Sequence, residues 1–243
     1  TTVTGKSGQT SKINLGRAGK HIIAAVLIVI TFFTSIFPIV SFAFETFLPN
    51  PGDYSFLYTG DADNLTVKWW TTDENITENG MYGQKGILHN ETIWHAFRGT
   101  ILVSVCCSLL AGTIGTMIGY AVSKTRRSRW ANYVNAVAFL PYLMPSIAVG
   151  VAFFVLFSNR YVNLFNTYTL LIIVGTIKYI PFASRASLNS MLQLSGEIEE
   201  AAIIQDIPWS KRMTRIIIPI QKSSIISGYL LPFMTCLREL SLF

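Results

Sequence analysis

From His21 to Phe44 the chain carries no charged residue. A helix of ~20 residues crosses the ~30 Å hydrocarbon layer of a bilayer, so this run is ample for one crossing. Similar apolar runs recur at 99–123 and 130–159, and again at 164–182 and 220–237, where each contains one lysine. Backbone inside lipid must satisfy its own hydrogen bonds, and a continuous apolar run of this length does so as a helix. The expected fold is therefore all-α, a polytopic membrane helical bundle with about five spans. Composition agrees: 51% of residues are hydrophobic and only 13% charged, which excludes a disordered chain and does not suit a typical soluble domain.

The segments between the runs set the expected topology. Residues 1–20 are polar, carry Lys6, Lys12, Arg17 and Lys20 without one acid, and read as a disordered basic tail. The apolar run that follows is too long for a signal peptide and lacks a small-residue cleavage pattern. Residues 45–98 hold eight acids against Lys68, Lys85 and Arg98, broken into turns by Pro and Gly. Trp69 and Trp70 are candidates for the headgroup belt. Asn-x-Thr sequons stand at Asn64, Asn75 and Asn90, and chance explains them in a loop so rich in Asn and Thr. A basic connector, Lys124, Arg126, Arg127 and Arg129, shares its sign with the tail and with the 185–215 region. The positive-inside rule then puts the N-terminus and that region in the cytoplasm and 45–98 outside.

Within the runs, a few residues invite a role. Gly115 and Gly119 have the four-residue spacing that lets membrane helices pack closely, and Gly112 lies near their face; general tolerance of glycine explains them as readily. Pro141 and Pro145 free backbone carbonyls and permit a bend of use in a translocation path, a duty many membrane prolines lack. Pro38 is expected to kink the first span near its far end, with Pro232 deep in the last. Lys178 could line a pathway, but snorkelling to the nearer interface is the simpler account. A turn at Arg160 and Asn163 separates the third and fourth spans. Arg238 and Glu239 end the last run, ~28 Å along a straight helix from Pro219. They could line a solute gate, form a structural ion pair, or anchor at the interface. Cys106, Cys107 and Cys236 all lie in apolar runs and read as buried, inert thiols, with neither a disulfide framework nor a metal site implied.

The one polar, helix-forming stretch between two apolar runs on the cytoplasmic side lies within 186–215. Glu197, Glu199 and Glu200 fill a first helical turn, where the helix dipole favours acids. Ile198, Ala201, Ala202 and Gln205 share a face, and the alanines are small enough for another surface to approach. Asp206 suits a turn, and Pro208 suits the start of a second helix. Trp209, Met213, Ile216 and Ile217 make its apolar stripe, opposite Lys211, Arg212 and Arg215. A helix pair at a membrane surface is a docking device.

These residues resemble the coupling loop, or EAA loop, of permease subunits of binding-protein-dependent ABC importers. Glu200-Ala201-Ala202 and Ile216-Ile217-Ile218-Pro219 match that loop in identity and spacing. Position 206 holds Asp where the family has glycine; Asp enters the left-handed region readily, so the turn is expected to survive. LPYLMP at 140–145, IPFASR at 180–185, Pro208-Trp209 and LREL at 237–240 look like the iron(III) branch. The resemblance covers roughly residues 95–243, the permease core. It implies pairing with a second permease copy or fused half, two ATP-binding subunits and an extracytoplasmic solute-binding protein, in the cytoplasmic membrane of a bacterium. Members of that family have a further helix and polar tail, so a truncated chain or fragment is expected.

No G-x-x-x-x-G-K-[ST] loop is present to cradle phosphates, so ATP hydrolysis is expected on a separate subunit, and no cofactor is called for. Energy would arrive mechanically, through a partner gripping the 197–215 helix pair. The resemblance assigns coupling to Glu197, Glu200, Ala201, Ala202, Asp206, Pro208, Trp209 and Pro219. Pro141, Pro145, Arg238 and Glu239 are candidates for the translocation path, with iron(III) as the best-matching solute. The competing reading is a secondary transporter or channel not coupled to an ATPase. That would need ionisable residues within the spans, and only Lys178, Arg238 and Glu239 qualify. A membrane-embedded enzyme would need clustered His, Asp or Cys, whereas His21, His89 and His95 are scattered.

Overall fold

The structure, a computed structural model, describes residues 16–50, 52–55, 58, 60, 65–76, 83–125, 128–158 and 164–239. Most of the basic tail, the sequon at Asn64, Arg126 and Arg127 of the basic connector, the turn at Arg160 and Asn163, and Leu240 of LREL lie outside the described residues. Among the described residues the chain is helical, with one isolated β-bridge between Ile76 and Gln84. Three helices are long and apolar enough to cross a membrane, and the number rises to five if each of two sharply bent helix pairs is one span. The protein is an all-α polytopic membrane protein. It divides into two compact units, residues 8–96 and residues 97–243.

The first unit begins with α1 (Gly16–Thr31), a π-turn (Phe32–Ile36) and α2 (Phe37–Glu45). The helix starts earlier than the expected boundary at His21, because Ala18 and Lys20 are good helix formers that extend it by a turn. The π-turn ends two residues before Pro38. Proline removes one amide donor and crowds the preceding turn, and a widened turn accommodates both. None of its apolar side chains is buried in the unit, as befits a helix whose solvent is lipid. The loop beyond holds itself together by its own polar contacts. The Trp69 indole N–H donates to the Leu48 carbonyl at 2.7 Å, and Leu48 is fully buried. Trp69 and Trp70, in α3 (Lys68–Thr71), are half-buried parts of the loop. Asn90 is also structural: its carbonyl oxygen accepts from the Thr92 and Ile93 amides, and its side-chain amide donates to Gln84. It caps α4 (Glu91–Lys124), which begins before the expected start at Gly99.

The second unit packs α4 from Phe97 onward with α5 (Arg129–Leu143), α6 (Ser146–Phe157), α7 (Tyr168–Met191) and α11 (Lys222–Leu237). Ser128 and Thr167 cap α5 and α7 by accepting from the Trp130 and Leu170 amides. Lipid tails are as apolar as leucine, so helices in a bilayer associate through close packing and polar contacts instead of hydrophobic exclusion. The glycines of α4 serve that purpose. A Cβ on Gly115 would stand 2.5 Å from the Cβ of Ala183, and one on Gly119 would stand 2.7 Å from the Leu188 amide nitrogen on α7. At Gly112 the ring of Tyr229, on α11, occupies the space a side chain would need. Ser108 donates to the Tyr229 carbonyl at 2.6 Å, and Ser187 to that of Thr116 at 3.1 Å. Val103, Cys107, Ala111, Val174, Tyr179 and Cys236 form the core of this interface, and the cysteines are free thiols.

Two of the expected spans are sharply bent, the first of them at the prolines that permit it. The run 130–159 splits into α5 and α6, which meet at 101° across Met144 and Pro145. The last run opens on an 84° bend at Gln221, where α11 departs from the helix preceding it. Pro181 and Pro232 sit inside α7 and α11. The 164–182 span is extended as well: α7 continues to Met191, so the first residues given above to the 186–215 loop belong to a transmembrane-length helix. Ser184, Ser187 and Ser190 face inward there, and their hydroxyls have carbonyl partners, so a polar face is carried inside the bundle.

Candidate functional site

The stretch after α7 folds as two short helices, α8 (Gly196–Ile204) and a second segment made of α9 (Trp209–Arg212), a π-turn (Met213–Ile217) and α10 (Ile218–Ile220). Glu197 and Glu199 lie in the first turn of α8. Its C-terminus closes in a Schellman arrangement: the Ile207 amide donates to the Ala202 carbonyl and the Asp206 amide to that of Ile203. Such a cap needs a left-handed residue between helix and exit, and Asp206 adopts φ 53°. Pro208 is the N-cap of α9. Pro219 lies in α10, two residues beyond the end of the π-turn and two before the bend at Gln221. This repeats the pairing of π-turn and proline at Pro38.

Burial divides the pair into two faces. Glu199, Ala202, Met213 and Ile217 are buried. Glu197, Glu200, Ala201, Asp206 and Pro208 are exposed, together with Ile203 and Ile204, the latter 83% exposed. Of the face expected to contain Ile198, Ala201, Ala202 and Gln205, only Ala202 turns inward. Met213 and Ile217 pack with Met191, and Tyr120 and Leu194 close that small core. Trp209 stands 6.3 Å from the Tyr120 ring, so it rests against the end of α4 while 43% exposed.

Glu199, which the sequence singles out only as one of three acids in a first helical turn, is the fastening. Its carboxylate pairs with Lys124 at the end of α4 and accepts a 2.6 Å hydrogen bond from the Tyr120 hydroxyl. Lys124 also lies 5.8 Å from the centre of the Tyr120 ring. Burial alone would raise the Glu199 pKa. The hydrogen bonds from Lys124 and Tyr120, aided by the charges of Lys124 and Arg212, outweigh it and hold the carboxyl below its ordinary value. Glu199 shares a face with Ala202, three residues on, but nothing local marked that face as the buried one. What the sequence could not supply is the partner, which is 75 residues away. Gln221, at the bend, donates to the Ser190 carbonyl at 3.0 Å and ties the exit of the pair to the end of α7.

The candidate path residues are dispersed. Pro141 and Pro145 flank the α5–α6 bend. The Tyr179 hydroxyl donates to Glu239 at 2.9 Å, and Arg238 is exposed. Lys178 does not snorkel. It is 7% exposed, and its ammonium donates to the carbonyls of Pro141, at 2.9 Å, and of Met144. An open groove of about 740 Å³ lies between α6 and the N-terminal half of α7, bounded by Ile147, Val151, Phe154, Leu171 and Val174.

No family model matches the chain. It is similar to the molybdate/tungstate transport system permease protein WtpB of Pyrococcus abyssi, 23% identical over 152 residues, or 63% of this chain and 60% of that protein. It is also similar to the inner membrane ABC transporter permease protein YcjP of Escherichia coli, 27% identical over 144 residues, 59% of this chain and 50% of that protein. The ferric transport system permease protein FbpB of Actinobacillus pleuropneumoniae is 22% identical over 181 residues, 73% of this chain but 26% of its own length. The chain thus spans 60% or less of the length of these relatives. The proteins it is similar to are thus permease proteins of transport systems.

Proposed function

We propose that the chain is the membrane-spanning permease subunit, or part of one, of an ABC importer in a bacterial cytoplasmic membrane. A partner ATPase docks on the outward face of α8 and α9, and an extracytoplasmic protein delivers the solute. A second permease copy or fused half completes the path. The observation that carries this reading is the division of the helix pair into a fastened face and a free one. Glu199, Met213 and Ile217 hold it to the bundle. Glu200, Ala201, Ile203 and Ile204 remain outside. An isoleucine as exposed as Ile204, on a segment placed in the cytoplasm by charge, suits burial by another protein. Glu197, Asp206, Pro208 and Trp209 shape the pair around that contact.

Because the pair is joined to α7 at one end and α11 at the other, rigid-body displacement of the pair would move both helices. The solute is a metal species, and iron(III) is the best match from LPYLMP and LREL; relatives named for molybdate/tungstate make those oxyanions the alternative. Glu200→Arg tests the docking role. The variant is expected to insert in the membrane in normal amount, to lose co-purification with the ATPase and to lose uptake at least tenfold. Retention of both association and uptake would overturn the reading. Uptake of labelled iron(III) and of labelled molybdate by the same cells decides the cargo.

A further inference from the structure

Residue 145 is proline and has no amide hydrogen, so the carbonyl four residues earlier, that of Pro141, cannot find its usual helical donor. The Met144 carbonyl is stranded as well. Its donor in a continuous helix would be the Ala148 amide, which turns instead to the Pro145 carbonyl at 3.0 Å. These two carbonyls are among the backbone acceptors left without helical donors at the α5–α6 bend, and within a membrane span an unsatisfied carbonyl is costly. Lys178 reaches both of them from α7. Among the described residues no carboxylate pairs with it, so these carbonyl dipoles are what its charge meets. Residues on neighbouring turns strengthen the attachment. Tyr142 and Phe182 meet edge to face at 5.4 Å, and the Arg185 guanidinium lies 4.6 Å from the centre of the Phe139 ring.

We propose that Lys178 is a positioning residue, the latch that holds the α5–α6 bend open and fastens it to α7. Losing the donor at Pro145 and redirecting that of Ala148 frees the elbow to flex; one ammonium from another helix serves the two carbonyls in their place and sets its angle. This deepens the transporter reading and rests on it for its consequence. Because α7 leads to the coupling pair, a push received at α8 reaches the bend through Lys178. It is thereby passed to α6 and to the groove that α6 bounds.

The latch is tested on the purified full chain in lipid nanodiscs, without ATPase. Hydrogen exchange is followed across residues 139–150, and thermal denaturation is recorded alongside. In Lys178→Met exchange in that segment should rise about tenfold, the signature of local opening. The melting temperature should fall by about 5 °C. Lys178→Arg, which keeps charge and donors, should restore most of both. Pro145→Ala returns an amide that can serve the Pro141 carbonyl, so Lys178→Met should cost less in that background. The proposal is overturned if Lys178→Met exchanges and melts like the parent, if Lys178→Arg behaves like Lys178→Met, or if the two substitutions are additive. Should Lys178→Met not accumulate, the double variant decides: its accumulation supports the latch and its absence overturns it. These readouts need no transport partner, so their failure is distinct from retained ATPase binding in Glu200→Arg.

Discussion

Glu199 and Glu200 are adjacent and chemically identical, yet the fold gives them opposite surroundings. Helical geometry turns neighbours ~100° apart, so one points to Lys124 and Tyr120 while the other stays in water. The environment of Glu199 has a consequence for pH. Its pKa is depressed in the folded chain, so its contribution is fully present above the ordinary carboxylate pKa, ~4.3, and is lost as pH falls through the lower, folded value. Glu199→Gln should therefore destabilise the protein by about 1–2 kcal/mol at pH 7, less than a fully buried pair because Lys124 is partly exposed. The difference from wild type should shrink below pH 4, which denaturation midpoints at pH 7 and pH 3.5 would measure. An equal difference at both pH values would contradict the ion pair. Asp206 makes a related point: a left-handed cap tolerates Asp, so departure from glycine leaves the Schellman turn intact.

At the level of elements, the helices are held by places where a side chain is missing. Gly119 allows α4 to touch the backbone of α7, and a methyl group there would press on the Leu188 amide, which has little freedom to give way. Gly228 of α11 is buried too, but a Cβ there would lie 3.8 Å from Ala183, an ordinary contact. Gly119→Ala should thus cost about 1–3 kcal/mol through overpacking. Gly228→Ala should be neutral or stabilising, since alanine favours the helix by ~1 kcal/mol. Thermal melts of the two variants in one lipid test this, and an equal loss in both would contradict the difference in space. The spacing of Gly115 and Gly119 left a specific interface and general tolerance equally open, and only the position of Ala183 and Ser187 chose between them.

For the molecule as a whole, the proposed direction of coupling depends on which side of the bilayer holds α8. The proposed docking needs it in the cytoplasm, the side to which the positive-inside rule would send the basic residues at 124–129 and 185–215. Ile204→Cys offers an exposed thiol there, while Cys107 and Cys236 are buried. A membrane-impermeant maleimide should label this variant in inverted vesicles and leave intact cells unlabelled, with Cys106 controlled by the parent chain. Labelling from outside would remove the proposed docking surface from the side that contains ATP.

Apolar run length alone determined that this chain is a set of membrane helices, because a bilayer accepts little else, and local turn chemistry marked the helix pair with its left-handed Asp206. Spacing and composition also marked where chains bend, at Pro145, though not how sharply. Tertiary structure decided which polar groups are connected. Lys178 with the Pro141 carbonyl, and Glu199 with Lys124, are 37 and 75 residues apart in sequence. Their pairing depends on helix rotation and crossing, which no local pattern encodes. Snorkelling is the default for a lone lysine near a membrane interface, and it gives way only when a neighbouring helix presents acceptors that nothing else can satisfy.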